Sequence, residues 1–283
     1  MNSFDKTFGV LGGDKRNYYL AKALKDDGYN VRLWGFDKLG AMDCEIASAL
    51  DSDIIILPVI PFSDDENVVS PYSNSNLNLK EYEDALKDKI IFTGVKDKFL
   101  SAFPDMENRV SSYSDREEFA VKNAVPTAEG AIEQALKHSD ITINGSKVLV
   151  CGYGRIGKVL SEMLRGMGAD VTVSARKQSD LAWIKLNGFA GIKTGDFTEI
   201  NSYNFIFNTI PSLILREDVL RELSKDTLII DLASYPGGVD FACAEKCGIK
   251  AIHALSLPGK IAPKSAGEII ESTILNILKE DDG

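Results

Sequence analysis

Hydrophobic positions fall into short apolar runs separated by longer amphipathic stretches, and this alternation repeats along the whole chain. Thr7–Leu11 is a β-rich run followed by a Gly12-Gly13-Asp14 turn. Tyr18, Ala21 and Leu24 then recur at helical spacing, and Gly28 closes that segment. Val31–Phe36, Asp53–Leu57 and Ile90–Thr93 read as further strands. Asp53–Leu57 is almost uniformly apolar, as strands buried on both faces of a parallel sheet are. Asp64–Leu79, rich in Ser, Asn and Asp, reads as a long loop. Pro126-Thr127 is expected to open a connector helix over Ala128–His138. After the Asn144-Gly145 turn a second alternating series begins. Its strands are expected at Lys147–Cys151, Asp170–Ser174, Phe205–Thr209, Thr227–Leu232 and Lys250–Ala254, and an amphipathic helix at Ala266–Lys279. Strands alternating with helices imply right-handed crossovers and parallel sheets.

Length agrees with two such sheets. The chain has 283 residues, and roughly 150 residues per domain is the usual scale. We place a first domain at 1–125, completed by the C-terminal helix 266–283. A connector helix and a second domain occupy 126–265.

The strongest motif is Val148-Leu-Val-Cys-Gly152-Tyr-Gly154-Arg-Ile-Gly157. It has the glycine spacing of a dinucleotide fingerprint, with an apolar strand before it and a helix after it. Gly152 permits the tight turn, Gly154 lets backbone approach a pyrophosphate, and Gly157 lets helix and strand pack closely. Arg155 and Ile156 complete the turn, whose N–H groups face the phosphates at the helix start. The next strand ends in Ser174-Ala-Arg176-Lys177, with no carboxylate directly after Val173. A guanidinium and an ammonium there suit a ribose 2′-phosphate, so NADP is favoured, with NAD the alternative. Asn208, Thr209, Pro211 and Ser234 stand at further strand ends, where ligands of open α/β sheets bind. The Gly12-Gly13 turn lacks the third glycine of a second fingerprint and is read instead as a substrate loop.

Charge and cysteines exclude several classes. The net charge is −10, a poor match for nucleic acid or anionic lipid. The longest apolar run, Ile54–Ile60, contains Pro58 and falls far short of the ~20 residues of a membrane span. Asp5 and Lys6 do not suit a leader sequence. A cytoplasmic protein is expected. Cys44, Cys151, Cys243 and Cys247 have no CxxC spacing, and only His138 and His253 accompany them, so no metal site is expected and structural roles suffice.

Taken together, the chain resembles the dipicolinate synthase A-subunit family over essentially its full length. Gly12-Gly-Asp14 with Arg16, Trp34-Gly-Phe-Asp37, Ile55-Ile-Leu-Pro58, Val125-Pro-Thr-Ala-Glu-Gly130 and the Gly152–Gly157 fingerprint carry the likeness. Asn208-Thr-Ile-Pro-Ser212, Asp231-Leu-Ala-Ser-Tyr-Pro-Gly-Gly238 and Leu257–Gly267 make it specific. The plan also resembles that of 2-hydroxyacid dehydrogenases, so the expected fold is α/β with two doubly wound parallel-sheet domains, flavodoxin-like first and Rossmann second. The resemblance implies an enzyme of sporulation, in the mother cell. It would act with a flavoprotein B subunit, as a homo- and hetero-oligomer, to make pyridine-2,6-dicarboxylate from a dihydrodipicolinate-level intermediate. A 2-hydroxyacid-type dehydrogenase on another substrate, or a non-catalytic nucleotide-binding component of a flavoprotein complex, are the alternatives.

Removing a hydride and a proton from such a ring needs a nicotinamide and a base. A small dicarboxylate substrate needs cations or backbone N–H groups: Arg16, with Gly13 and Asp14 beside it, Arg116 and Lys264 are the candidates. Glu129 and Thr127, at the connector, are the candidate catalytic residues. Glu129 is equally readable as a carboxylate favoured by a helix start.

Overall fold

The computed structural model describes residues 6–41 and 44–281. Asp5, one of the two residues on which the leader expectation rests, lies outside them. In chain order the first part comprises β1 (Thr7–Leu11), α1 (Lys15–Asp26), β2 (Asn30–Trp34), α2 (Ile46–Leu50), β3 (Ile54–Ile56) and α3 (Glu83–Leu86). Next come β4 (Ile90–Thr93), α4 (Lys96–Ala102), β5 (Val110–Ser112) and α5 (Glu117–His138). The second part runs β6 (Lys147–Cys151), α6 (Arg155–Gly166), β7 (Asp170–Ala175), α7 (Gln178–Leu186), β8 (Ala190–Lys193) and β9 (Phe205–Asn208). It ends with α8 (Glu217–Leu220), β10 (Leu228–Asp231), α9 (Phe241–Cys247), β11 (Lys250–His253), α10 (Leu257–Ile261) and α11 (Pro263–Asp281).

The chain divides into two compact units, 1–123 with 262–283, and 124–261. In the first, five parallel strands lie in the order β2-β1-β3-β4-β5. This is the doubly wound order of flavodoxin-like folds. Alternate residues of each strand enter different cores. Phe8, Val10, Ile54, Ile56 and Phe92 pack beneath α1 and α11, while Leu11, Ile55, Leu57 and Ile91 pack on the opposite face. That is why Ile54–Leu57 carries no polar residue. Gly267 brings the α11 backbone onto α1, where a Cβ would sit 2.5 Å from the Arg16 carbonyl oxygen.

In the second unit, six parallel strands lie in the order β11-β10-β9-β6-β7-β8. Renumbered within the unit this is 6-5-4-1-2-3, the Rossmann order, with the reversal between β6 and β9. Val148, Val150, Val173, Phe205 and Ile230 face one core, and Leu149, Cys151, Ile206 and Ile229 the other. The expected fold class is therefore borne out.

Several local expectations need correction. The helix expected to open at Pro126-Thr127 begins at Glu117, with Pro126 inside it. Proline forfeits one backbone hydrogen bond there. Burial of Phe119 on one side of Pro126 and of Ala128, Ala131 and Ala135 on the other outweighs that loss. The strand expected to reach Phe36 stops at Trp34, because Gly35 turns to φ +92°. Sequence patterning missed β5 and β8: β5 is three residues ending in two serines, and β8 is a largely exposed edge strand. The long loop after β3 is packed by Phe62, Val68, Leu77 and Leu79, each at most 4% exposed. Val69 accepts the Gly13 N–H at 2.6 Å, which fixes the loop over the end of β1.

One buried acid in this unit is out of balance. Glu271 on α11 is 8% exposed, and its Oε1 has no hydrogen-bond partner among the described residues. Burial first, then the Asp27 carboxylate, push its carboxyl up to about 7. The folded chain therefore holds an extra proton between the ordinary glutamate value and neutrality, and stability falls as pH rises through that window. We expect urea denaturation to show a loss of about 1–2 kcal/mol between pH 5 and pH 8 from this residue. Glu271→Gln should flatten that part of the profile and be the more stable protein at pH 8. An unchanged pH slope in the variant would show that Glu271 does not carry the effect.

Candidate dinucleotide site

The candidate site lies at the carboxyl edge of the second sheet, beside the β6/β9 reversal. Gly152 leaves β6 at φ +102°, and a Cβ on it would meet Thr209 Oγ1 at 2.4 Å. A Cβ on Gly157 would sit 2.1 Å from the Gly152 carbonyl oxygen. Helix α6 and the turn before it are thus in backbone contact that only hydrogen side chains allow. At Gly154, by contrast, a Cβ would meet nothing within 4 Å. That open space lies at the start of a 12-residue helix whose N-cap, Gly154, offers no side chain to satisfy the first N–H groups. Those donors and the helix dipole form an anion seat. The arrangement fits a dinucleotide pyrophosphate.

A cavity of about 320 Å³ opens there, lined by residues that include Gly152, Gly154, Arg176, Lys177, Thr209 and Pro211. These six belong to the set expected from sequence, and the fold brings them together. Arg176 and Lys177 are both exposed at its rim. Ser174 lies beneath it, fully buried, its hydroxyl sharing a contact with the Thr194 hydroxyl at 3.3 Å. Cys151, also fully buried, has its thiol pushed up to about 12 by desolvation, which leaves it a packing residue. Arg155 and Ile156 occupy the first turn of α6, exposed and half-buried respectively.

Sequence reasoning missed Asp180, which lines the same cavity in the first turn of α7. It stands six positions past Ser174 and is brought back by the helix, so the residues of the strand end alone carry no sign of it.

The floor continues across β9 and β10. Thr209 donates its hydroxyl to the Cys151 carbonyl at 2.8 Å. Asn208 Nδ2 donates to Asp231 Oδ1 at 2.8 Å and to the Ile210 carbonyl at 3.0 Å. Asp231, fully buried, also accepts the N–H of Ala233 at 3.1 Å and of Gly238 at 2.7 Å. One carboxylate therefore ties two strand ends to the loop carrying Ser234, which is itself exposed. His253 supports that loop through Nε2 and the Ala233 carbonyl oxygen, 2.8 Å apart, and stacks on Phe241.

The remaining candidates are not among the residues that line this cavity. In the first unit, Arg16 forms a bidentate pair with Asp14 at 2.8–3.0 Å, beside the Gly13 turn. Arg116 binds Glu280 of α11 at 2.6 Å. Lys264, exposed at the start of α11, stands 3.8 Å from Glu268. In the second unit, Thr127 is buried and Glu129 exposed on α5. Among the described residues no group of three or more potential metal ligands occurs, and no helix is long and apolar enough to cross a membrane.

Comparison with known proteins assigns this architecture. A family model for the N-terminal domain of the dipicolinate synthase A subunit matches residues 7–111. A relative from Bacillus subtilis, the dipicolinate synthase A subunit, is 37% identical across 96% of this chain and 95% of its own length. The chain belongs to the dipicolinate synthase A-subunit family. Its second unit matches a model described as the S-adenosyl-L-homocysteine hydrolase NAD binding domain over residues 123–270, and it is a nicotinamide-dinucleotide-binding domain. Crystal structures of family members superpose over the length of the chain. That of the dipicolinate synthase A subunit from Bacillus halodurans has a TM-score of 0.88 at 33% identity, covering 96% of this chain and 97% of that one. The Bacillus subtilis counterpart has a TM-score of 0.87 at 36% identity, covering 97% and 96%. Membership gives the chain an oxidoreductase-type role and implies a partner subunit.

The two glycines predict separable losses. Gly157→Ala should lower thermal stability by several degrees, since either β6 or α6 must shift. Gly154→Ala should keep the wild-type melting temperature yet weaken dinucleotide binding by at least about tenfold, because its methyl group fills the pyrophosphate seat. Calorimetric melting and titration separate the two. Equal affinity in Gly154→Ala and wild type would move the pyrophosphate away from this turn.

Proposed function

We propose that the chain is the NADP-dependent dehydrogenase component of dipicolinate synthase, converting a dihydrodipicolinate-level intermediate to pyridine-2,6-dicarboxylate. The observation that carries this reading is the cationic rim of the cavity. Arg176 and Lys177 stand at the end of β7 in a chain of this family. The acidic chain has net charge −10, so two adjacent exposed cations at a ligand edge supply the local positive field that a 2′-phosphate needs. Asp180 then has a role in accepting from a ribose hydroxyl, while NAD is the alternative cofactor.

Conversion of the dihydropyridine to the pyridine removes one hydride and one proton. A bound nicotinamide supplies the hydride acceptor. The protein's own residues have three tasks. The α6 start and Arg176 hold the cofactor through its phosphates. Arg16, oriented by Asp14 beside Gly13, Lys264 and Arg116 are assigned to the carboxylates of the substrate. Glu129, with its exposed carboxylate, is assigned as base, with Thr127 positioning the ring. Asn208, Thr209, Pro211 and Ser234 complete the cofactor shelf. In this reading a flavoprotein B subunit is the partner, the chain forms homo- and hetero-oligomers, and the reaction belongs to the mother cell of a sporulating bacterium.

The test combines the purified chain, with and without the B subunit, with NADP and freshly generated dihydrodipicolinate, following pyridine dicarboxylate absorbance. Product should form only when NADP is present, and Arg176→Ala should cut the preference for NADP over NAD by about tenfold or more. Product formed with flavin and without NADP would instead give the chain a binding role alone. No cofactor-dependent product in either mixture would refute the proposal.

A further inference from the structure

Tyr235 is the most exposed large hydrophobic side chain among the described residues, at 85%. Such exposure is common on a loop tip, but this loop is held at both of its ends. Gly237 N–H donates to the Ser234 carbonyl at 2.8 Å and closes a turn around Tyr235-Pro236. Ahead of the turn, Ala233 is fixed by Asp231 and His253. Behind it, Gly238 is fixed by Asp231, and its carbonyl accepts the N–H groups of Ile214 and Leu215 at 3.0 Å. A buried carboxylate and a β11 histidine thus anchor the base of a loop whose central aromatic side chain packs against little.

The place of the loop gives that ring a purpose. A pyrophosphate at the start of α6 fixes the middle of a dinucleotide. Its 2′-phosphate or ribose end would then run toward β7, where Arg176, Lys177 and Asp180 stand. The other half must run the opposite way along the sheet edge, over β9 and on to β10. The shelf is continuous in that direction. Gly152 abuts Thr209 and Ile210, and a Cβ on Gly238 would meet the Ile210 carbonyl oxygen at 2.7 Å. The Tyr235 loop is the next backbone beyond Ile210.

We propose that Tyr235 is a ring-contacting residue, whose phenol face receives a flat, nitrogen-containing six-membered ring at the nicotinamide end of the site. This inference rests on the reading of the second unit as a dinucleotide site. Two sources offer that chemistry: the nicotinamide itself, and the pyridine ring of the dicarboxylate. Offset contact of two such rings supplies affinity beyond the area they bury. It depends on the tyrosine ring rather than its hydroxyl, so phenylalanine substitutes for it and alanine does not.

Calorimetric titration of wild type, Tyr235→Phe and Tyr235→Ala with defined probes tests this without turnover. The probes are NADPH and NADH, their ring-free counterparts 2′-phospho-ADP-ribose and ADP-ribose, and pyridine-2,6-dicarboxylate. The side chain is exposed, so all three proteins should share one melting temperature. If the nicotinamide is the ring, Tyr235→Ala weakens NADPH or NADH by about five- to tenfold, and leaves the ring-free probes and Tyr235→Phe unchanged. If the dicarboxylate is the ring, only its affinity falls. Equal affinities of the three proteins for every ring-bearing probe would overturn the inference, as would equal losses for ring-bearing and ring-free probes. Wild type binding the cofactor with the expected Tyr235 effect, but making no product, would refute the proposed reaction and leave this inference standing. Wild type binding none of the probes would refute both.

Discussion

The contact between Gly157 and the Gly152 carbonyl, with room for only 2.1 Å to any added Cβ, is the constraint on which the second unit depends. It sets how closely α6 descends onto β6. With α6 so placed, its first N–H groups open at Gly154 onto empty space rather than onto a capping side chain. The same turn presses Gly152 on Thr209, so the end of β9 is positioned by the glycine fingerprint as well as by its own pairing with β6. Asp231 extends the arrangement outward. Its carboxylate is fully buried and satisfied by Asn208, Ala233 and Gly238, so removing it would strand several donors at once. Geometry passes from the helix to two strand ends and then to an exposed aromatic ring.

Charge is distributed against the grain of the whole chain. The net charge of −10 would repel a phosphorylated or dicarboxylate ligand. Local cations answer this at the dinucleotide cavity, through Arg176 and Lys177. In the first unit Arg16 sits within a bidentate pair with Asp14. That pairing fixes the guanidinium fork at the Gly13 turn and also moderates its charge, so a carboxylate ligand at Arg16 would share it with a resident acid.

Much of this was legible in the residues. Parallel sheets write themselves as apolar runs such as Ile54–Leu57 and Val148–Cys151, because both faces are covered. The glycine fingerprint was legible because each glycine answers a separate steric demand. Elements governed by tertiary context were not. Pro126 reads as a helix start by local rules, yet burial of Phe119, Ala128 and Ala131 carries one helix through it. The edge strand β8 has no buried face to pattern. Asp180 is an ordinary residue in sequence, and only folding places it in the cavity. Tyr235 stands within the Asp231–Gly238 motif, but nothing in that motif announces that its ring is left exposed. The pairing of Arg116 with Glu280 was equally hidden, because only the return of α11 brings the two together.

Cofactor choice, substrate placement and the role of Tyr235 all turn on one arrangement: a nicotinamide dinucleotide across the carboxyl edge of the second sheet, its pyrophosphate on the α6 start. A crystal structure of the chain with NADP tests it most directly. Density for the pyrophosphate against the backbone N–H groups following Gly154, with the 2′-phosphate at Arg176 and the nicotinamide beyond Ile210, is the result predicted. Density with the reverse polarity, or at another edge of the sheet, would contradict it.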